Sequence, residues 1–505
     1  MKLKKNKKKG MFYYLKPQNL IVEIEQFGHA LSFKELLVSY TKVVLIGMTA
    51  AYLFKLPLYG YLIIMSASIL FVSSLLISSY KSIYEQKKFS DANLYLEKML
   101  YFFKKSKKIY SCLNEVLNVF PSGNIHILIQ DAIDIIRMSE SENVSEEALK
   151  LVEMEFPNSR IRTLHSFMLN VESKGGDPSL GVEMLLEDRE LWTKRVVLLQ
   201  QDKQLIKKNV IIALIMTLGL CLTILYLPFM IGNIGNMDIS GNLFVQWSAI
   251  VLIIFLLFFY TKVNNQLSTN WLEYDLVQDE SKIVNRYNNF ININMKNEKT
   301  KSMIYAAITL IGAVISFALL QSKFLLFIGF AIAMFLLNSY KLGYKIEKKN
   351  ITKEISKLFP TWLLNVALLM QNENVHMAIV ISYDDAPSIL KPAIKQLLVE
   401  LDDNPTSSTP FNQFLSNFSM SEVKESMSAL YCISEASGGN IDDEFRQIIT
   451  RVNKYMDKAE QIKNNEKLAI MSSYISAPAL AGTFKLAIDM VVMLITFISM
   501  SNSIV

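Results

Sequence analysis

Residues that usually carry chemistry are scarce in this sequence. Its 505 residues include only three cysteines, Cys112, Cys221 and Cys432, and four histidines, His29, His126, His165 and His376. The cysteines lie far apart and form no C-x-x-C pair, so neither a structural zinc site nor a disulfide framework is indicated. None of the histidines has H-E-x-x-H spacing, so metal and triad chemistry are unsupported. A phosphate-binding G-x-x-x-x-G-K-[ST] loop and a G-x-S-x-G nucleophile elbow are both missing. The expectation is a protein that is no enzyme, with no catalytic residue, no metal and no cofactor. Charge is sparse as well. Charged residues make up 19%, against ~25% in soluble domains. Hydrophobic residues reach 51% and are gathered into long runs, which points to a polytopic membrane protein.

The runs give the organisation. A basic segment (1–41) precedes a first transmembrane hairpin (42–79), whose halves meet at Lys55-Leu56-Pro57, each close to the ~20 residues needed to cross hydrocarbon. A polar block (80–208) follows, then a second hairpin (209–262) with its linker at 232–246, a polar junction (263–302) and a third hairpin (303–340) turning at Gln321-Ser322-Lys323. A second polar block (341–467) leads to a C-terminal segment (468–505). That last segment is read as one helix from about Lys485 outward, preceded by an amphipathic stretch. Two short spans meeting near Gly482 are the alternative, and seven spans are favoured over eight.

Lysine and arginine lie in the N-terminal run Lys2–Lys9, both polar blocks and 263–302, whereas 232–246 has neither. By the positive-inside rule the N-terminus and both blocks face the cytoplasm. The N-terminal lysines are read as setting this orientation, not as binding nucleic acid. Residues 11–40 carry Glu23, Glu25, Lys34 and Glu35, so no apolar core follows the basic start and a cleavable signal peptide is not expected.

Both polar blocks read as helical. Leu94, Leu96, Met99, Leu100 and Phe103 recur at helical spacing, as do Leu180, Met184, Leu185 and Leu191. Trp362, Leu363, Val366, Leu369 and Met370 form a stripe in the second block, and Phe445, Ile448, Ile449 and Val452 another. Strand patterns with Asn-Gly or Asp-Gly turns are absent. The fold class expected is all-α, a polytopic membrane protein with two repeated cytoplasmic helical-bundle domains. The clusters Glu187-Asp188-Arg189-Glu190 and Asp442-Asp443-Glu444 are each read as opening a helix, where acids suit the dipole. A docking surface for a cytosolic partner is the alternative reading.

The spans carry few ionisable groups. Lys485 and Asp489, spaced i,i+4, either pair on one helix face or line a path, and only the second would serve a transporter or permease. Pro228 and Pro478 either kink their helices or mark helix ends.

The duplication has its own motif. Glu172-Ser173-Lys174-Gly175-Gly176-Asp177 reappears as Glu435-Ala436-Ser437-Gly438-Gly439-Asn440, each ending one helical run and opening a long charged helix. The expected role is a corner, with Gly ending one helix and Asp or Asn capping the next. A phosphate loop would need a preceding strand and a following Lys-Ser/Thr, and neither is there.

This duplicated arrangement, with Glu172–Asp177, Glu435–Asn440, Tyr84–Asp91 followed by Leu96–Phe103, Leu358-Phe359-Pro360 and Ala378-Ile379, resembles the type II secretion system F family. Its members are inner-membrane platform proteins of type II secretion systems, type IV pili and archaella. Over roughly 40–505 the chain looks like two platform proteins of the Tad (tight adherence) pilus branch joined end to end. Two positions depart from the pattern: Asn374 stands where the family often has Gly, and Lys104-Lys105-Ser106-Lys107-Lys108 is unusually basic. The resemblance implies a multi-pass protein of the cytoplasmic (inner) membrane that couples a hexameric assembly ATPase to insertion of pilin or pseudopilin subunits. Its implied partners are that ATPase, those subunits and membrane lipid. A homo-oligomer is compatible with it, and nucleic acid is not a partner.

Overall fold

A computed structural model describes residues 13, 16–138, 143–230, 238–268, 271–272, 280–320, 323–435 and 441–504. In chain order the helices are α1 (Pro17–Glu25), α2 (Phe33–Leu53), α3 (Leu58–Ser106), α4 (Ile109–Val119), α5 (Asn124–Met138), α6 (Val144–Glu155) and α7 (Ser159–Lys174). They continue with α8 (Ser179–Met230), α9 (Leu243–Ser268), α10 (Glu280–Ile291), α11 (Met295–Leu320), α12 (Lys323–Leu369) and α13 (Val375–Ser382). The last are α14 (Lys391–Asp403), α15 (Thr409–Gln413), α16 (Ser421–Glu435), α17 (Ile441–Ser472) and α18 (Ala477–Ile504). No strand occurs among the described residues. Seven helices among them are long and apolar enough to cross a membrane, so the chain is an all-α polytopic membrane protein.

Local chemistry explains where helices start and stop. Ser32 and Glu35 form a capping box that opens α2, with the Ser32 backbone N–H donating to Glu35 Oε2 at 3.2 Å. Pro57 ends the turn at 54–57, because its ring cannot continue a helix but can precede one. Lys55 there has φ +50°. From Leu58 nothing interrupts the pattern, and α3 runs 49 residues through the apolar stretch into the polar block. At the C-terminus, α18 is a single helix starting at Ala477 after a short 3-10 turn, Ser473–Ile475. Gly482 lies inside it, so the two-span alternative is not what forms, and the helix begins before Lys485.

The duplication is visible in the order of elements. Each copy has a hairpin, a long helix leaving it, four short helices, and a second long helix: α2, α3, α4–α7 and α8, then α11, α12, α13–α16 and α17. The exit helix is continuous in the first copy, whereas in the second the 3-10 turn separates α17 from α18.

Two compact units cut the chain differently from the segments read off the sequence. The first comprises 1–94, 193–273 and 464–505, and the second 95–192 and 274–463. The central part of the first polar block (95–192) and nearly all of the second (341–463) therefore fall in one unit together with the third hairpin, while 80–94, 193–208 and 464–467 fall in the other. Contacts between the blocks, described below, are the cause. The junction 263–302 is also mostly helical among its described residues, because α9 extends to Ser268 and α11 begins at Met295.

In the first unit, α2, α3, α8, α9 and α18 contribute to one apolar cluster around Ala51, Ile64, Cys221, Leu225, Ile253 and Val492. Its helices approach closely at small residues. A Cβ on Gly482 of α18 would stand 2.5 Å from Thr217 Cγ2 of α8, and one on Gly47 of α2 would stand 2.8 Å from Ser68 Oγ of α3. Such crossings are how helices gain packing where lipid offers no hydrophobic drive.

Candidate functional site

The repeated motif is the first place to look. α7 ends at Lys174, after which Gly175 takes φ +83° and Gly176 φ +105°, conformations that a Cβ disfavours. Glu172 Oε1 accepts the backbone N–H of Ile109 at 3.0 Å. It thereby serves the first turn of α4, whose N-cap residue Lys108 makes no side-chain cap. Asp177 Oδ1 accepts the Ser179 hydroxyl at 2.9 Å and its backbone N–H at 3.4 Å, at the start of α8. A Cβ on Gly176 would stand 2.4 Å from Asn372 Oδ1 beside the α12–α13 corner, a contact that the Asn372 side chain would have to move to relieve. Lys174 bridges Glu373 of that corner at 2.5 Å. Both carboxylates of the motif are thus occupied with helix starts. In the second copy, Glu435 is the exposed last residue of α16, and Gly438, Gly439 and Asn440 lie outside the described residues.

A buried charged cluster in the second unit is not among the residues the sequence singles out as a site. Arg160 of α7 donates to both oxygens of Asp188 of α8, at 2.8 and 3.1 Å, and to Glu460 of α17 at 3.2 Å. Its guanidinium carbon lies 5.2 Å from the ring centroid of Trp192. All three charged groups are less than a tenth exposed. Beside them Asn453 of α17 donates to Glu187 of α8 at 2.5 Å. The cluster therefore joins the two copies of the repeat. This corrects the reading of Glu187-Asp188-Arg189-Glu190 as a first turn: α8 begins at Ser179, which puts Asp188 in its third turn, inside the core. Asp442, Asp443 and Glu444 do fall in the first turn of α17. A signal for the cluster was present. Asp188 continues the i+4 row of Met184 and Trp192, Glu460 that of Val452 and Met456, and Arg160 precedes Leu164 and Met168. Every apolar neighbour in those rows is buried.

The histidines and cysteines of the second unit form no metal-binding group among the described residues. His165 Nε2 lies 2.9 Å from the Tyr95 hydroxyl and Nδ1 lies 2.8 Å from Glu153 Oε1. Burial pushes its pKa below the ordinary imidazole value despite the opposing Glu153 carboxylate. Burial, opposed by a hydrogen bond with Ser106, pushes the Cys112 thiol up to about 11, the reverse of what a nucleophile needs. Cys112 and Cys221 are buried and Cys432 is exposed, all three unpaired. His126 contacts the Phe120 carbonyl at 2.6 Å and His376 pairs with Asp402 at 3.3 Å. Among the described residues no group of three His, Cys, Asp or Glu could hold a metal ion.

In the first unit, Lys485 and Asp489 form an ion pair on one face of α18. Asp489 is fully buried and Lys485 nearly so, with its ammonium 5.4 Å from the Phe54 ring centroid. Beside this pair, α9 and α18 enclose an open apolar groove of about 840 Å³. Phe244, Trp247, Val251 and Phe255 line one wall, and Phe484 and Val491 the other. Chemically the groove can take an apolar chain or helix. The ion pair closes on itself along one helix instead of opening a row of charges. No family model, no curated protein and no solved structure matches this chain.

Proposed function

We propose that this chain is an integral platform of the cytoplasmic membrane for assembling a type IV pilus-like, Tad-type filament or a type II secretion pseudopilus. In this reading the N-terminus and both helical blocks face the cytoplasm, where the basic residues lie. The blocks engage a hexameric assembly ATPase, and the platform itself is no enzyme. The observation that carries the reading is the apolar groove between α9 and α18. A filament subunit anchored by one apolar helix must leave lipid to join the filament, and a lipid-level groove lined with aromatic and aliphatic side chains lowers the cost of that exit. The first corner, with the Glu172 and Asp177 carboxylates spent on helix starts, suits a rigid scaffold.

Photo-crosslinking from Trp247 and Phe484 positions in intact cells tests it. The expected adducts are small proteins with an apolar N-terminal helix, and pull-down of the same chain should bring a P-loop secretion ATPase. Adducts confined to lipid, with no such ATPase recovered, would sink the reading. A transporter is the second reading, favoured only by the buried Lys485–Asp489 pair. It requires substrate flux in reconstituted vesicles that Asp489→Ala abolishes.

A further inference from the structure

The corners that follow α3 and α12 hold equivalent places in the repeat, yet their surroundings carry opposite charge. At the first, Lys104, Lys105, Lys107 and Lys108 are all exposed. Two of them lie in the last turn of α3, where cations suit the dipole. The last turn of α12 has no basic residue, so such a corner forms without lysines. Near the second corner, α14 ends in Asp402 and Asp403, both exposed. Carboxylates at a helix C-terminus oppose the dipole, so helix stability does not account for them either.

The two patches occupy the same end of the second unit. Asp402 pairs with His376 at 3.3 Å, at the start of α13. Lys107 Nζ donates to the Gly176 carbonyl at 3.1 Å, and Gly176 lies against Asn372 of the α12–α13 corner. No ion pair joins the two patches among the described residues. Beyond Leu337, the end of its apolar stretch, α12 continues to Leu369 at the second corner. That is roughly 48 Å at ~1.5 Å per residue. Along that helix the second corner lies several Debye lengths of ~8 Å beyond the apolar stretch.

Identical copies inserted in one bilayer hold these patches at the same level. We infer that the Lys104–Lys108 patch of one copy docks on the Asp402–Asp403 patch of a second copy, head to tail in the membrane plane. The contact is heterologous, so it closes into a ring or continues as a file. This inference needs only a shared membrane and does not rest on the platform role.

The test uses the full chain in lipid bilayer discs large enough for several copies, with mass measured by light scattering. The wild type should be multimeric at ~0.05 M salt and should dissociate near 1 M, where the Debye length falls to about 3 Å. Reversing Lys104, Lys105 and Lys108 to Glu, which spares Lys107, should weaken association by at least about tenfold. Asp402→Lys with Asp403→Lys should do the same. Mixing the two reversed proteins should restore association, since each then supplies the charge the other lacks. In a Cys432→Ser background, Lys105→Cys with Asp403→Cys should form disulfides between chains in native membranes. A monomeric wild type with no such disulfide, or reversed variants that associate like the wild type, would overturn the inference. So would a mixture that stays apart, which would turn the lysines toward an acidic protein of another kind. Circular dichroism of each variant separates lost docking from lost folding.

Discussion

Among the described residues, each compact unit contains an ion cluster whose charged groups are all buried, Lys485–Asp489 in the first and Arg160–Asp188–Glu460 in the second, and the two are built in different ways. In the first unit the ammonium and carboxylate are Lys485 and Asp489, one turn apart on α18. In the second, Arg160 meets Asp188, 28 residues away, and Glu460, 300 residues away, so that α7, α8 and α17 must all be in place. An isolated charge in hydrocarbon costs several kcal/mol. A pair on one helix is neutralised before the helix meets any neighbour, which suits a segment that must insert into lipid. The Arg160 cluster is satisfied only once the two copies of the repeat have packed. Until then its groups are solvated by water, which a polar block can have and a membrane span cannot. Desolvating it without all three partners is unfavourable, so the cluster fixes how one copy meets the other.

Breaking the long-range cluster should have the largest effect. Arg160→Ala leaves Asp188 and Glu460 buried without their guanidinium. It should destabilise the second unit by about 3–5 kcal/mol, read as a lowered urea midpoint of the purified protein in detergent. The local pair should cost less to break and nothing to remove. Asp489→Ala strands Lys485 and should cost about 2.5–3.5 kcal/mol. The double change Lys485→Leu with Asp489→Leu should return to within about 1 kcal/mol of wild type. If the double variant were as unstable as the single one, the pair would have a role beyond neutralising itself.

Packing without charge comes next. Gly482→Val places a Cβ 2.5 Å from Thr217 Cγ2, and such overpacking costs about 1–3 kcal/mol, visible as a lower thermal midpoint of the helices in detergent. The smallest effect sharpens the comparison with a buried group kept neutral. His165 has a folded pKa below its unfolded value of 6.5, so the unfolded chain binds the proton first as pH falls. Stability is full above about pH 6.5 and declines as pH drops toward the folded pKa, by no more than about 1.4 kcal/mol per pH unit. His165→Gln should flatten that slope in unfolding curves taken between neutral and mildly acidic pH.

Much of the fold could be read from the residues in order. The Lys55-Leu56-Pro57 break, the apolar runs and the helical stripes around Met99 and Trp362 all depend on neighbours within a few positions. The corner at Gly175-Gly176 and the carboxylate at Asp177 are equally local. Asp188 was misread because an acid near the start of a charged segment looks like a cap, and only the true start at Ser179 moves it into the core. The partner of Glu172 was not legible, since Ile109 belongs to another helix. Nor was the groove between α9 and α18, whose walls come from segments more than two hundred residues apart.

Sequence alone determined seven apolar helices, the hairpin turn at Lys55-Leu56-Pro57, the corner at Gly175-Gly176 and the spacing of Lys485 with Asp489. Each follows from backbone propensity, apolar length or one turn of helix, which act over short stretches of chain. Tertiary structure alone decided that 95–192 and 341–463 share one unit, that Arg160 meets Asp188 and Glu460, and that Gly176 packs beside the Asn372 side chain. Those outcomes depend on which buried charges and surfaces find partners across the chain, and no local pattern encodes the partner.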